Sequence, residues 1–193
     1  MLLFGYEDSV MTTSARATVD DLYRVPENRK AEIINGELIL MSPTGARPGR
    51  AASEVYISLR EYERGSGAGY AIPDNVGFLV NLPNRDSFSP DAAFYIGQPP
   101  DMQFLQGAPV FAVEVRSDND YGPAAEQAMA EKRRDYFAAG TLIVWDVDLQ
   151  SPDVIKSYGA DDPENPKVYR RGEMANAEPA LPGWEFPVDT LFI

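Results

Sequence analysis

Pro109-Val110-Phe111-Ala112-Val113-Glu114-Val115 is an almost unbroken apolar run holding a single acid. It is too short for a helix and rich in β-branched and aromatic residues. It therefore reads as a strand covered on both faces, in the middle of a sheet. Alternation puts Val110, Ala112 and Glu114 on one face, and Phe111, Val113 and Val115 on the other. Downstream, Pro123 suits the first turn of a helix and Gly140 suits its end. Leu142-Ile143-Val144-Trp145 follows at once as a second strand. A strand, a helix and a strand in that order make a βαβ unit. The expected class is α/β, a mixed sheet flanked by helices.

Working outward, Pro90-Asp91-Ala92-Ala93-Phe94-Tyr95-Ile96 is another apolar strand, with proline tolerated at its start. Ala31 to Leu40 places Asn35-Gly36 between two apolar runs, which is the strongest short hairpin signal. Helical spacing is expected from about Arg50 to Glu63, closed by Gly65, Gly67 and Gly69, with Ala51, Ala52, Val55, Leu59 and Tyr62 sharing a face. Thr18 or Asp20 starts a short helix that Pro26 limits. Residues 75–82 read as extended, residues 97–108 as a connection, and 154–158 with 167–169 as a final edge hairpin. Residues 1–16 read as a loose tail, and 17–193 as one domain.

Composition removes more functions than it suggests. The 193 residues contain no cysteine and no histidine. Disulfides, thiolate metal sites, thiol nucleophiles, Ser-His-Asp hydrolysis and HExxH chemistry are excluded. Hard cations need only oxygen ligands, so carboxylate-plus-lysine chemistry survives. The formal charge of −13 argues against broad, sequence-independent nucleic-acid binding, though not against a local groove. No stretch is long enough to cross a membrane, and the first residues lack a basic leader, so a cytoplasmic location is expected.

Three residues carry the chemistry. Glu114 is costly inside an apolar strand unless it meets a partner or a metal; otherwise it is a strand-end acid in solvent. Asp91 starts a neighbouring strand; alone, it also suits a turn. On the helix after Pro123, Ala125, Met129, Tyr136 and Ala139 form an apolar stripe at about 100° per residue, and Lys132 falls inside it. Glu131, Arg134 and Asp135 fall on the opposite, solvated side. Lys132 must therefore snorkel or meet a buried acid. Two acids on adjacent strands repel, and a Mg²⁺ or Mn²⁺ ion relieves them. The Val115 carbonyl would add an oxygen. Glu32, on the first hairpin, is a fourth candidate. Arg116 and Ser117, and Arg47 and Arg50, are weaker candidates for facing phosphate.

The ordered set Ala31-Glu32-Ile33-Ile34-Asn35-Gly36-Glu37-Leu38, Met41-Ser42-Pro43, Ser89-Pro90-Asp91, Val113-Glu114-Val115-Arg116-Ser117, Lys132 with Tyr136, Ala139-Gly140 and Trp145 resembles the Uma-two family of restriction-endonuclease-like proteins, in the PD-(D/E)xK superfamily. The resemblance spans roughly residues 18 to 192. It implies a restriction-endonuclease-like core with Asp91 and Glu114 as metal ligands. It also implies that the motif lysine has moved from the strand, where Arg116 stands, to Lys132 on the following helix. Arginine is a poor replacement for a tunable lysine. Departures are Arg47-Pro48-Gly49 where a histidine is frequent, Ser117-Asp118-Asn119 in place of Ser-Pro-Ser, and Trp145-Asp146-Val147-Asp148-Leu149 in place of a Val-Asp-Pro ending.

Two kinds of function remain open at this point. One is a Mg²⁺- or Mn²⁺-dependent endonuclease acting on DNA, as a homodimer for paired cuts, with hydrolysis of a smaller phosphate ester as a variant. The other is a catalytically silent binding or assembly module, in which Asp91, Glu114 and Lys132 form a structural salt-bridge cluster.

Overall fold

The computed structural model describes residues 16–25 and 29–192. Of the expected N-terminal tail only Arg16 lies among them, and Pro26 lies outside. Helix α1 (Val19–Tyr23) is opened by Thr18, whose backbone N–H and hydroxyl both donate to Asp21 Oδ2. Strands β1 (Ala31–Ile34) and β2 (Glu37–Leu40) form the expected hairpin. Asn35 and Gly36 turn it at φ of 52° and 78°, the positive values that a two-residue primed turn requires.

Helix α2 (Ala46–Ser66) starts four residues before the expected boundary. Pro48 lies in its first turn, where its missing N–H is no loss. Gly67, at φ 63°, ends it in the left-handed conformation. After it come β3 (Tyr70–Ile72), β4 (Phe78–Leu79), β5 (Ser87–Phe88), β6 (Ala92–Tyr95), β7 (Leu105–Gln106) and β8 (Phe111–Val115). Helix α3 (Pro123–Ala138) leads into β9 (Ile143–Val147), β10 (Ile155–Gly159) and β11 (Asp162–Tyr169). A hairpin, β12 (Met174–Asn176) and β13 (Glu185–Pro187), precedes a short 3-10 turn, Val188–Phe192.

Six strands form the main sheet in the order β11-β10-β9-β8-β6-β3. Strands β8 and β9 are parallel, joined through α3; every other pair is antiparallel. The apolar run from Phe111 is thus central and the βαβ unit is present. The segment 75–82 differs from its expected long strand. Only Phe78–Leu79 pairs, in a small sheet with β5 and β7, because the backbone turns at Asn75 (φ 63°) and again near Arg85.

Each face of the main sheet has its own core. On one, Ala51, Ala52, Val55 and Leu59 of α2 meet Phe111, Val113 and Val115. Trp184 and Phe186 pack beside them against Trp145, with ring centroids 5.3 and 6.0 Å away. On the other, Tyr136 of α3 joins Ala93, Ala112, Val144, Phe78 and Phe88. Tyr136 stacks on Phe88 at 4.0 Å. The hairpin β1–β2 is pinned to this second side. Ile33 N–H donates to Ser87 Oγ (2.9 Å), Asp86 N–H to the Ile33 carbonyl (3.0 Å), and Asn35 N–H to the Asn84 carbonyl (2.8 Å). That side carries Glu114, Lys132 and Glu32.

Phe111 is fully buried and contacts both Trp145 and Trp184 edge-on or tilted. Phe111→Ala should lower unfolding free energy by about 3–5 kcal/mol, since the rings around the cavity cannot collapse freely. Urea denaturation checks this; a loss below about 1 kcal/mol would contradict a rigid core there.

Candidate active site

Strand pairing brings the acids together. In the β6–β8 ladder Ala92 faces Val113, and Asp91 N–H donates to the Val113 carbonyl (3.0 Å). Asp91 therefore stands beside the end of β8. Its Oδ2 accepts the Val115 N–H at 2.8 Å. In a strand, the N–H and C=O of one residue project to the same edge, so the Val115 carbonyl shares the Asp91 side. Glu114 points to the α3 face.

Lys132 reaches in from the partly buried stripe of α3, where Tyr136 alone is fully buried. Its Nζ is 2.9 Å from Glu114 Oε1 and 2.9 Å from Glu32 Oε1. Tyr136, one helical turn later on the same face, donates its hydroxyl to Glu114 Oε1 at 2.7 Å. Glu32, with its side chain 1% exposed, also accepts the Ser89 N–H (2.8 Å) and Arg85 Nη1 (2.6 Å). Asp91, Glu114, Lys132 and Glu32 thus meet at one place, the floor of a cleft of about 1040 Å³.

The weaker candidates are placed elsewhere or are engaged. Arg116 is buried, forks onto Asp146 with two contacts of 2.7 Å, and also pairs with Glu126. Ser117 bonds Asp120 through its N–H and hydroxyl. Arg50 lies on α2, which covers the opposite face, 3.8 Å from Glu54. Arg47 donates to the Leu149 carbonyl and lies over the Phe192 ring.

One expectation is corrected. Asp135, assigned from the helical wheel to the solvated side, is buried. The loop before β5 folds over that flank, and Arg85 Nε (2.8 Å) and Asn84 Nδ2 (2.9 Å) bond the carboxylate. A helical wheel records no covering loop.

Sequence reasoning missed Lys30, Asp74 and Arg85. Lys30 Nζ lies 2.7 Å from both Asp91 Oδ1 and Asp74 Oδ1. A signal was present for Lys30, because it stands two positions before Glu32 and strand alternation sends both to one side. Arg85 and Asp74 come from loops and carried no periodic signal.

The charges are unequal. Burial pushes the Glu32 carboxyl up, but Lys132 and Arg85 outweigh it and hold it below the usual range. Burial raises Glu114, and neighbouring Asp91 and Glu32 raise it further against the pull of Lys132 and Lys30. Burial alone would lower Lys132, yet Glu114 and Glu32 keep it raised and protonated. Burial and the same two acids push the Tyr136 hydroxyl well up, so it remains a donor. The two acids that share Lys132 thus differ, Glu32 held low and Glu114 raised.

Among the described residues no group of three acids forms a cation cage. Asp91, Glu114 and the Val115 carbonyl give a sparse, all-oxygen set. That set suits Mg²⁺ or Mn²⁺, which keep several waters. The residues fit such an ion.

Glu32→Gln should destabilise the fold by about 3–5 kcal/mol at pH 7, because it leaves Lys132 and Arg85 facing a neutral group in a buried site. Glu32 is depressed in the fold. Its contribution is therefore complete above its unfolded value of about 4.3 and is lost as pH falls through the lower folded value. The gap between wild type and variant, measured by denaturation from pH 7 to pH 3, should shrink at the acid end. A pH-independent gap would contradict the ion pairing.

Comparison with solved structures finds a protein from Anabaena variabilis ATCC 29413, described as a "putative nuclease belonging to DUF820". The TM-score is 0.71 at 16% identity, covering 91% of this chain and 97% of that one. This likeness establishes the shared fold, restriction-endonuclease-like. A search of curated proteins gives no match. The Uma2 family model, described as "Putative restriction endonuclease", matches residues 18–189, which include the hairpin, both acid-bearing strands and α3. The chain belongs to the Uma2 family.

Proposed function

We propose that this protein is a Mg²⁺- or Mn²⁺-dependent endonuclease that hydrolyses phosphodiester bonds in DNA. The observation that carries the reading is Lys132 Nζ at 2.9 Å from both Glu114 and Glu32, beside Asp91 on the cleft floor. Asp91, Glu114 and the Val115 carbonyl would hold the ion. When bound, the ion supplies an activated water and counter-charge for the phosphoryl oxygens. Lys132 has three N–H donors and uses two on Glu114 and Glu32. The third is free to orient the attacking water or to bond a phosphate oxygen as charge develops. Glu32 fixes the lysine, and Tyr136 fixes the carboxylate of Glu114.

The cleft lining is mixed, with eight acidic side chains against six basic ones. This excess would repel a phosphate chain, and one divalent ion cancels it. A homodimer for paired cuts and a cytoplasmic setting complete the proposal. The mixed lining and the complete pairing of Glu32 also favour the second reading, a silent module in which the cluster is structural.

The test is cleavage of single- and double-stranded DNA with Mg²⁺ or Mn²⁺. Wild type should cut, and Asp91→Ala, Glu114→Ala and Lys132→Met should each lose about 100-fold or more. A folded wild type that cuts no DNA with either ion would overturn the nuclease reading. Variants as active as wild type would overturn the assigned residues.

A further inference from the structure

Among the described residues lining the cleft, Lys30 is the one ammonium that the proposed chemistry does not use. It precedes β1 and enters the cleft from the same side as Glu32. Its side chain is 16% exposed, and its Nζ spans two carboxylates of different depth. Asp91 lies at the floor with 19% of its side chain exposed, and Asp74 lies at the rim with 43% exposed. Both contacts are 2.7 Å. Asp74 follows β3, on the turn through Asn75, whose N–H also donates to Asp74 Oδ1.

The Asp91 carboxylate has roughly four lone-pair positions. The Val115 N–H takes one on Oδ2, and Lys30 takes one on Oδ1. An ammonium at this distance fills the position toward which the carboxylate draws positive charge. A divalent ion placed on the same carboxylate would face that ammonium at short range, where both side chains are less than a fifth exposed and screening is weak. Lysine suits release, because its charge is a point on a flexible four-carbon stem.

We propose that Lys30 is a resident counter-cation of Asp91, that a divalent ion displaces it, and that Asp74 receives the released ammonium at the rim. This rests on the reading of Asp91 as a metal ligand. Lys30 occupies the Asp91 carboxylate while the ion is absent and sets the threshold for ion entry. A lysine that merely stabilised the fold would weaken ion binding when removed. Removing a competing lysine strengthens it.

The experiment is calorimetric titration with Mn²⁺, with folding followed by circular dichroism. The proteins are wild type, Lys30→Met, Lys30→Arg, Asp91→Ala, Asp74→Asn and the double variant Lys30→Met with Asp74→Asn. Lys30→Met should bind at least tenfold more tightly than wild type, Lys30→Arg no more tightly, and Asp91→Ala not at all. Asp74→Asn should weaken binding only while Lys30 is present, since its part is to receive the ammonium. If Lys30→Met fails to fold, Lys30→Gln takes its place. Unchanged or weaker binding by the neutral variant, with Asp91→Ala still abolishing it, overturns the inference and leaves the metal reading standing. Weaker binding by the double variant than by Lys30→Met makes Asp74 a ligand and overturns its receiving part. No binding by any protein overturns the metal reading and the inference with it.

Discussion

The site depends on one ammonium shared by two carboxylates. Lys132 ties α3 to β8 through Glu114 and to the first hairpin through Glu32. Three elements distant in sequence are held by charges that are each costly to bury alone. Such a cluster is weak evidence for stability, since well-packed apolar residues often do as well. It fixes arrangement instead. With Lys132 neutral or absent, Glu114 and Glu32, each 2.9 Å from its Nζ, would face one another without that ammonium between them.

The surrounding contacts serve that balance. Arg85 takes the second oxygen of Glu32 and reaches Asp135, so the charge chain runs from the hairpin, through the loop before β5, to the flank of α3. Arg116 takes up Asp146, the residue facing Glu114 across the β8–β9 ladder, and so removes a competing acid from beside the site. Glu114 keeps a raised affinity for protons despite two nearby lysines. Glu32 is held low by Lys132 and Arg85, while burial leaves Glu114 raised.

Much of this was legible in the residues. The run from Val110 to Val115 could only be a covered strand, and the Pro123–Gly140 helix with the strand after it forced a parallel neighbour. Lys132 stood out because it interrupts an apolar stripe, and Asn35-Gly36 announced its hairpin. What stayed hidden depends on loops. Asp135 is buried by residues 84–85, which a helical wheel does not record. The β12–β13 hairpin, which places Trp184 and Phe186 over Trp145, is short and lacks long alternation. Lys30 was within reach of the same alternation that singled out Glu32, but a lysine beside a strand looks like surface until Asp91 and Asp74 are placed next to it.

The most direct measurement is anomalous scattering from crystals soaked in Mn²⁺. The account predicts one peak at about 2.0–2.2 Å from carboxylate oxygens of both Asp91 and Glu114, with Lys132 still bridging Glu114 and Glu32. A saturating soak with no peak there, or a peak bound only to surface acids, would contradict it.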